Sequence, residues 1–403
     1  MSRIYRDLSL PDTRWQRFLL EPVVVAAFEQ YAFVRRTLVR LLMLVYLFAA
    51  FFLTANVAPG AEVRDDLPWS EAIGNAQGIL SIESHAAVSV SDGVEYEVLT
   101  AWRGNQRSIF HRIYADRSVT MGHEGLLNWS WDGESQTTLA PALAEVIAGH
   151  QFHARLLFLD GIDRSNAVSI ASDEFCECEG YRVTPGDGGT LTMYYQGASR
   201  QPRALVMDSA DFGQIVIRYH DWRTVDVVSL PWGITVDHDG RQFDYRFNSI
   251  ALNERELWDR LHPPIDKLTP EQQLLAMHRL SIDAHIESDV SLLAGRWADN
   301  VVNVYGGEAS SVPGSQMAQF LGRSLANRRH SIYRDMIRPI VNLSADGTMG
   351  SITAQIEAAG VRLEYGKPTG ESFAFQSAWL ATYHKRDGTW RMTAIASGVE
   401  YEN

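Results

Sequence analysis

Cysteine is nearly absent: the 403 residues hold two, Cys176 and Cys178, and no second pair exists to complete a thiolate metal site. An activated-nucleophile motif and a glycine-rich phosphate loop are also missing, as are internal repeats and low-complexity tracts. Nor is there a basic stripe. Residues 59–264 hold 16 Lys and Arg against 30 Asp and Glu, so this segment carries about all of the formal charge of −13. Without clustered cations no phosphate counterions are released on binding, which excludes nucleic acid as a partner. His150, His153 and Asp160 come nearest to a metal set, but their spacing favours a loop-and-core role, and neither a metal nor a cofactor is expected.

The two cysteines sit in Phe175-Cys176-Glu177-Cys178, flanked by Glu174 and Glu179. On an extended strand they project from one face about 6.6 Å apart, so a bridge needs a turn and carries strain. The neighbouring carboxylates disfavour a reactive thiolate by like-charge repulsion. A strained disulfide in an oxidising compartment and a reduced surface pair both remain open; catalysis is disfavoured.

What the chain does have begins near its amino terminus. Arg35, Arg36 and Arg40 precede Leu41–Ala55, which carries no charge, and the apolar run extends to Ala58. About 18 apolar residues suffice for a spanning helix, and fewer for an export signal. The long stretch ahead of the run and the loose cleavage pattern Ala58-Pro59-Gly60 favour retention as an anchor. Positive charge on the amino side alone keeps that end cytoplasmic and translocates the rest. The expectation is an inner-membrane anchor with periplasmic domains, or export to the periplasm after cleavage. Asp12–Phe33 is expected to lie along the membrane surface.

Within a domain expected over residues 62–253, residues 76–253 follow a strand-and-turn pattern, with Ala86–Val90, Tyr96–Trp102, Ser108–Tyr114, Leu191–Tyr195 and Ile215–Tyr219 as examples. Asp92-Gly93, Asp132-Gly133, Asp187-Gly188 and Asp239-Gly240 supply turns. One helical insertion is predicted over Pro141–Ala148. His220-Asp221-Trp222-Arg223-Thr224-Val225-Asp226, Leu230-Pro231 and Phe247–Asn253 resemble the final hairpins of lipoprotein-carrier-like domains of the Lol type. The resemblance implies an antiparallel half-barrel whose concave face holds acyl chains. A filled core is the alternative.

Residues 254–268, with His262-Pro263-Pro264, read as an extended linker. Thr269-Pro270-Glu271-Gln272 then gives an N-cap, a first-position proline and a capping-box glutamine. Residues 269–403 resemble the SnoaL-like branch of the nuclear transport factor 2-like superfamily. The match rests on Ala284-His285 with Asp289, on Leu292-Leu293 with Ala298-Asp299 closing a second helix, on Ser344–Thr348 and on Tyr383–Arg391. It implies an α+β, cone-shaped barrel with a pocket at its open end. The superfamily includes isomerases, cyclases and dehydratases beside members without chemistry.

On the first helix His278, Ile282, His285 and Asp289 form an i, i+4, i+7, i+11 stripe. His285 and Asp289 are therefore candidates for a base and its orienter, with Tyr333 as proton donor and Tyr305, Trp297 and Phe320 as ligand contacts. The favoured reading has Asp289 capping the helix that begins at Val290, with His285 packed near it. Trp379 shares a strand face with Phe373, Phe375 and Tyr383, a row expected to be core or subunit interface, with homodimer pairing through the C-terminal sheet. The favoured function is binding of a lipid or other apolar small molecule by a membrane-tethered or exported protein, leaning away from catalysis. A SnoaL-like isomerase, cyclase or dehydratase is the alternative.

Overall fold

Tight turns and period-2 alternation build the first sheet. The computed structural model describes residues 67–76, 78–104, 107–140, 143, 150–159, 164–171, 178–184, 189–209 and 213–401. The apolar run 41–58, Asp160 and Cys176 lie outside them, as does the helix expected over Pro141–Ala148, except for Leu143. Among the described residues no helix is long and apolar enough to cross a membrane.

After the short helix α1 (Ser70–Ile73), six strands run as a meander: β1 (Ser81–Val90), β2 (Glu95–Arg103), β3 (Arg107–Ile113), β4 (Ser118–Glu124), β5 (Leu127–Trp131) and β6 (Gln136–Thr138). Helix α2 (Phe152–Phe158) follows. A second meander comprises β7 (Val168–Ala171), β8 (Cys178–Val183), β9 (Thr190–Gln196), β10 (Pro202–Ser209), β11 (Gly213–Val225), β12 (Val228–His238) and β13 (Arg241–Leu252). The two join where β1 pairs antiparallel with β13, giving one open sheet of 13 strands, β6-β5-β4-β3-β2-β1-β13-β12-β11-β10-β9-β8-β7. At the β12–β13 hairpin, Asp239 and Gly240 both take positive φ (56° and 72°), the primed-turn geometry that matches strand twist.

The hollow of this sheet is largely filled. Helix α2 buries Phe152, Leu156, Leu157 and Phe158 there, against Trp102, Tyr195 and Tyr245, and Trp69 Nε1–H donates to the Leu156 carbonyl at 2.5 Å. The volume left beside Tyr96, Arg112 and Phe152 is about 170 Å³. His153 is core, its Nε2–H donating to the Pro231 carbonyl at 2.9 Å, and His150 meets the Tyr245 hydroxyl at 3.1 Å. No metal-binding cluster occurs among the described residues. Cys178 is buried and disulfide-bonded.

The segment read as an extended linker instead contains helix α3 (Glu256–Leu261). Its Trp258 and Leu261 pack on Ala101, Ile109 and Trp129, and the Glu83 carboxylate accepts from the amides of Leu257 and Trp258, at 2.9 and 2.8 Å. Burial of that apolar pair outweighs the proline signal that follows it.

The C-terminal region opens with helix α4 (Pro270–Glu287), whose capping box is formed in both directions: Gln272 N–H to Thr269 Oγ1 at 3.3 Å, Thr269 N–H to Gln272 Oε1 at 3.0 Å. Where a second helix was expected there is only a 3₁₀ turn, Val290–Leu293, and Trp297 already starts a strand. Strands β14 (Trp297–Tyr305) and β15 (Glu308–Pro313), helix α5 (Gly314–Ala326), then β16 (Arg328–Asp335), β17 (Ile340–Leu343), β18 (Met349–Glu364), β19 (Lys367–Arg386) and β20 (Thr389–Tyr401) complete it. The order is β15-β14-β20-β19-β18-β16, with β17 also on β18 and only β14–β20 parallel. The expected barrel does not close, because β15 and β16 do not pair; α4 and α5 cover the curled sheet instead.

Candidate functional site

The inner face of the curled sheet, α4 and α5 enclose a cavity of about 380 Å³. Helical spacing brings His278, Ser281 and His285 of α4 to one side. Alternation along β19 brings Phe375, Ser377, Trp379 and Tyr383 to another, and α5 contributes Met317, Phe320, Leu321 and Ser324. The aromatic row of β19 thus packs into the buried clusters, as the core reading expected, and its Phe375, Trp379 and Tyr383 wall the cavity. Strand parity is the reason: odd positions face the helices, and even ones such as Leu380, 46 % exposed, face out.

Five of the six residues singled out from the sequence line this cavity: His285, Tyr333, Tyr305, Trp297 and Phe320. Asp289 does not. Helix α4 ends at Glu287 with Ser288 in the left-handed region (φ 55°), so Asp289 leaves the helical stripe, and its Oδ1 accepts the Ser291 amide at 2.8 Å. His285 turns elsewhere: its Nδ1–H donates to the Ser281 carbonyl at 2.7 Å, and its ring stacks on Tyr333 with centroids 4.0 Å apart. Burial pulls the His285 pKa down to about 4, with Arg328 and His278 adding to the fall and the Ser281 bond opposing it. The imidazole is therefore neutral at pH 7. Burial, with the nearby Asp335 charge, pushes the Tyr333 phenol well above its ordinary value.

The histidine–carboxylate pair that does form is His278 with Asp335. His278 Nε2–H donates to Asp335 Oδ1 at 2.8 Å, with side chains only 2 % and 4 % exposed. The Asp fixes the tautomer, and the imidazole stands beside Trp379 with centroids 5.7 Å apart. His330 adds a second neutral ring: its Nδ1–H donates to the His285 carbonyl at 3.1 Å, and burial, with His285, lowers its pKa to about 3. Gly360 lets β18 approach here, since a Cβ at that position would lie 2.0 Å from the Arg329 carbonyl oxygen.

The sequence reading missed Asp335, His330, Arg328 and the whole of α5. Two signals were present. Met317, Phe320, Leu321 and Ser324 follow i, i+3, i+4, i+7 spacing just after Pro313, and Tyr333 and Asp335 alternate on one strand face. Chemically, the cavity offers aromatic walls, imidazoles, hydroxyls and one arginine, and among the described residues no Asp or Glu lines it.

No family model matches this sequence, and no curated protein matches it significantly. Solved structures give partial likenesses. A LolA superfamily protein from Nitrosomonas europaea is 12 % identical over 47 % of this chain and 92 % of its own, with a TM-score of 0.36. A nuclear transport factor 2-like superfamily protein from Salmonella enterica is 11 % identical over 33 % of this chain and 93 % of its own, with a TM-score of 0.29. A putative polyketide cyclase from Xanthomonas campestris is 17 % identical over 32 % of this chain and 91 % of its own, with a TM-score of 0.24.

Proposed function

We propose that the C-terminal cavity binds one small, mainly apolar molecule, in a protein exported or tethered so that residues from 62 onward lie outside the cytoplasm. The observation that carries the binding reading is the cavity of about 380 Å³, walled by Trp297, Phe320, Phe375 and Trp379. Such a space suits a ligand held by apolar contact and oriented by a few polar groups. The hollow of the first sheet, mostly filled by α2, serves better as scaffold than as a site for long acyl chains. The test is saturable, one-to-one binding of N-phenyl-1-naphthylamine by fluorescence. Ser377→Trp, which fills the cavity, is expected to abolish it with the thermal melt retained. Binding that ignores the filling would sink the reading.

A second reading is favoured by the buried His278–Asp335 pair. An imidazole whose Nε2–H is held by a carboxylate keeps Nδ1 as its basic atom, as proton abstraction beside a carbonyl requires. Deuterium exchange at the α-carbon of cyclohexanone, followed by NMR in heavy water, tests this. Exchange equal in the native chain and in His278→Ala would remove it.

A further inference from the structure

Resting on the reading of the cavity as an apolar site, we infer that its ligand is an amphipathic anion: an apolar body carrying one carboxylate, whose charge pairs with Arg328. Among the described residues Arg328 is the only one with a permanent charge in the cavity lining, and no Asp or Glu accompanies it there. Among the described residues it has no carboxylate partner. Its cross-strand neighbour Arg362 does have one, Glu371 at 3.6 Å, so the contrast lies within one pair of strands.

The guanidinium is also held in place. It sits 5.4 Å from the Phe373 ring centroid and 5.9 Å from that of Phe375, on the inner side of β19. Aromatic contacts occupy the face of a guanidinium and leave its N–H edge for a planar, two-point acceptor, which a carboxylate is. A half-buried cation opposite a second arginine is left uncompensated, and an entering anion relieves that imbalance. A neutral or cationic ligand of the same shape leaves it in place. The apolar walls then take the body of the molecule, with Ser324 beside it in the same lining.

The experiment is isothermal titration of the full chain at neutral pH and low salt with the isosteric probes 1-naphthoate and 1-naphthamide. Octanoate and octanamide form a parallel pair, to separate aromatic from straight-chain acids. The acid of at least one pair is expected to bind roughly tenfold or more tighter than its amide, as a charge-assisted hydrogen bond allows. Arg328→Gln should collapse that ratio to near one while leaving amide affinity within about twofold. Arg328→Lys, which keeps the charge without the fork, should retain part of it, and added salt should weaken the acid alone; these two readouts stand even where the Gln variant does not fold. Acid and amide binding equally well to the native chain would overturn the inference with the apolar reading intact. No binding of either member in both pairs would overturn that reading, and the inference with it.

Discussion

Four histidines held neutral inside the fold set its response to acid. Burial drives His150 and His330 to about 3, and His153 and His285 to about 4. In the unfolded chain each titrates near 6.5, so between that value and the folded one the unfolded state binds more protons. Their stabilising effect is complete above about pH 6.5 and is lost as pH falls through the window toward 4 and 3. Each contributes on the order of 3 kcal/mol by the bottom of that range. Glu124 acts in the same direction at lower pH: burial opposes its charge, but His262, Arg279 and Trp129 outweigh this and hold it at about 2. Urea midpoints measured from pH 7 to 4 should therefore fall steadily, starting near pH 6. The fall should be shallower in His330→Asn, which keeps a polar ring-sized group that cannot charge. A flat profile would mean that these rings reach solvent.

Helix α4 is buried on both sides, and its two faces do different things. One face lines the cavity with His278 and His285. The opposite face carries Asp283, which is fully buried and bonded to Arg107 of β3 and, at 3.2 Å, to Arg255 just ahead of α3. Arg103 meets Glu287 at 2.7 Å, and both Arg103 and Arg107 lie over the Trp258 ring. Burial works against the Asp283 charge, but Arg107, Arg279 and Arg255 overcome it and keep its pKa far below the usual carboxylate range. Asp283→Ala strands those arginines and should cost about 3–5 kcal/mol in urea denaturation. The double change Asp283→Leu with Arg107→Met should cost much less, since an apolar pair often replaces a buried ion pair without loss. A cost below about 1 kcal/mol for the single change would mean that the network does not hold α4 to the first sheet. This element also shows what the sequence made legible. The capping box at Thr269, the stripe through His278 and His285, and the strand alternation of Tyr96–Trp102 are local signals, and local signals could be read. Asp289 caps the turn that follows it, as the capping reading expected, whereas His278–Asp335 spans two elements and α3 depends on burial of Trp258 against strands far earlier in the chain. Neither of the last two has a signature within a short window of residues.

At the scale of the molecule, both sheets are open, and the first is held together at a single seam. Strands β2 to β6 each pair with the strand before them, and β8 to β13 do likewise, whereas β1 finds its second partner only in β13, with Ile82 opposite Leu252. A chain ending at His238 lacks that partner. Its amides over Ala86–Val90 should lose much of their protection from hydrogen exchange, and protection equal to that of the full chain would show that pairing with β2 alone suffices. The seam also dictates timing. Contacts so distant in sequence form slowly, and an unpaired apolar edge can recruit other chains while it waits. From the moment Ser81–Val90 emerges until Arg241–Leu252 follows, the first meander is a half-sheet with an adhesive margin. A chain threaded across a membrane in that order would need its first strand shielded by a holding chaperone until the thirteenth arrives.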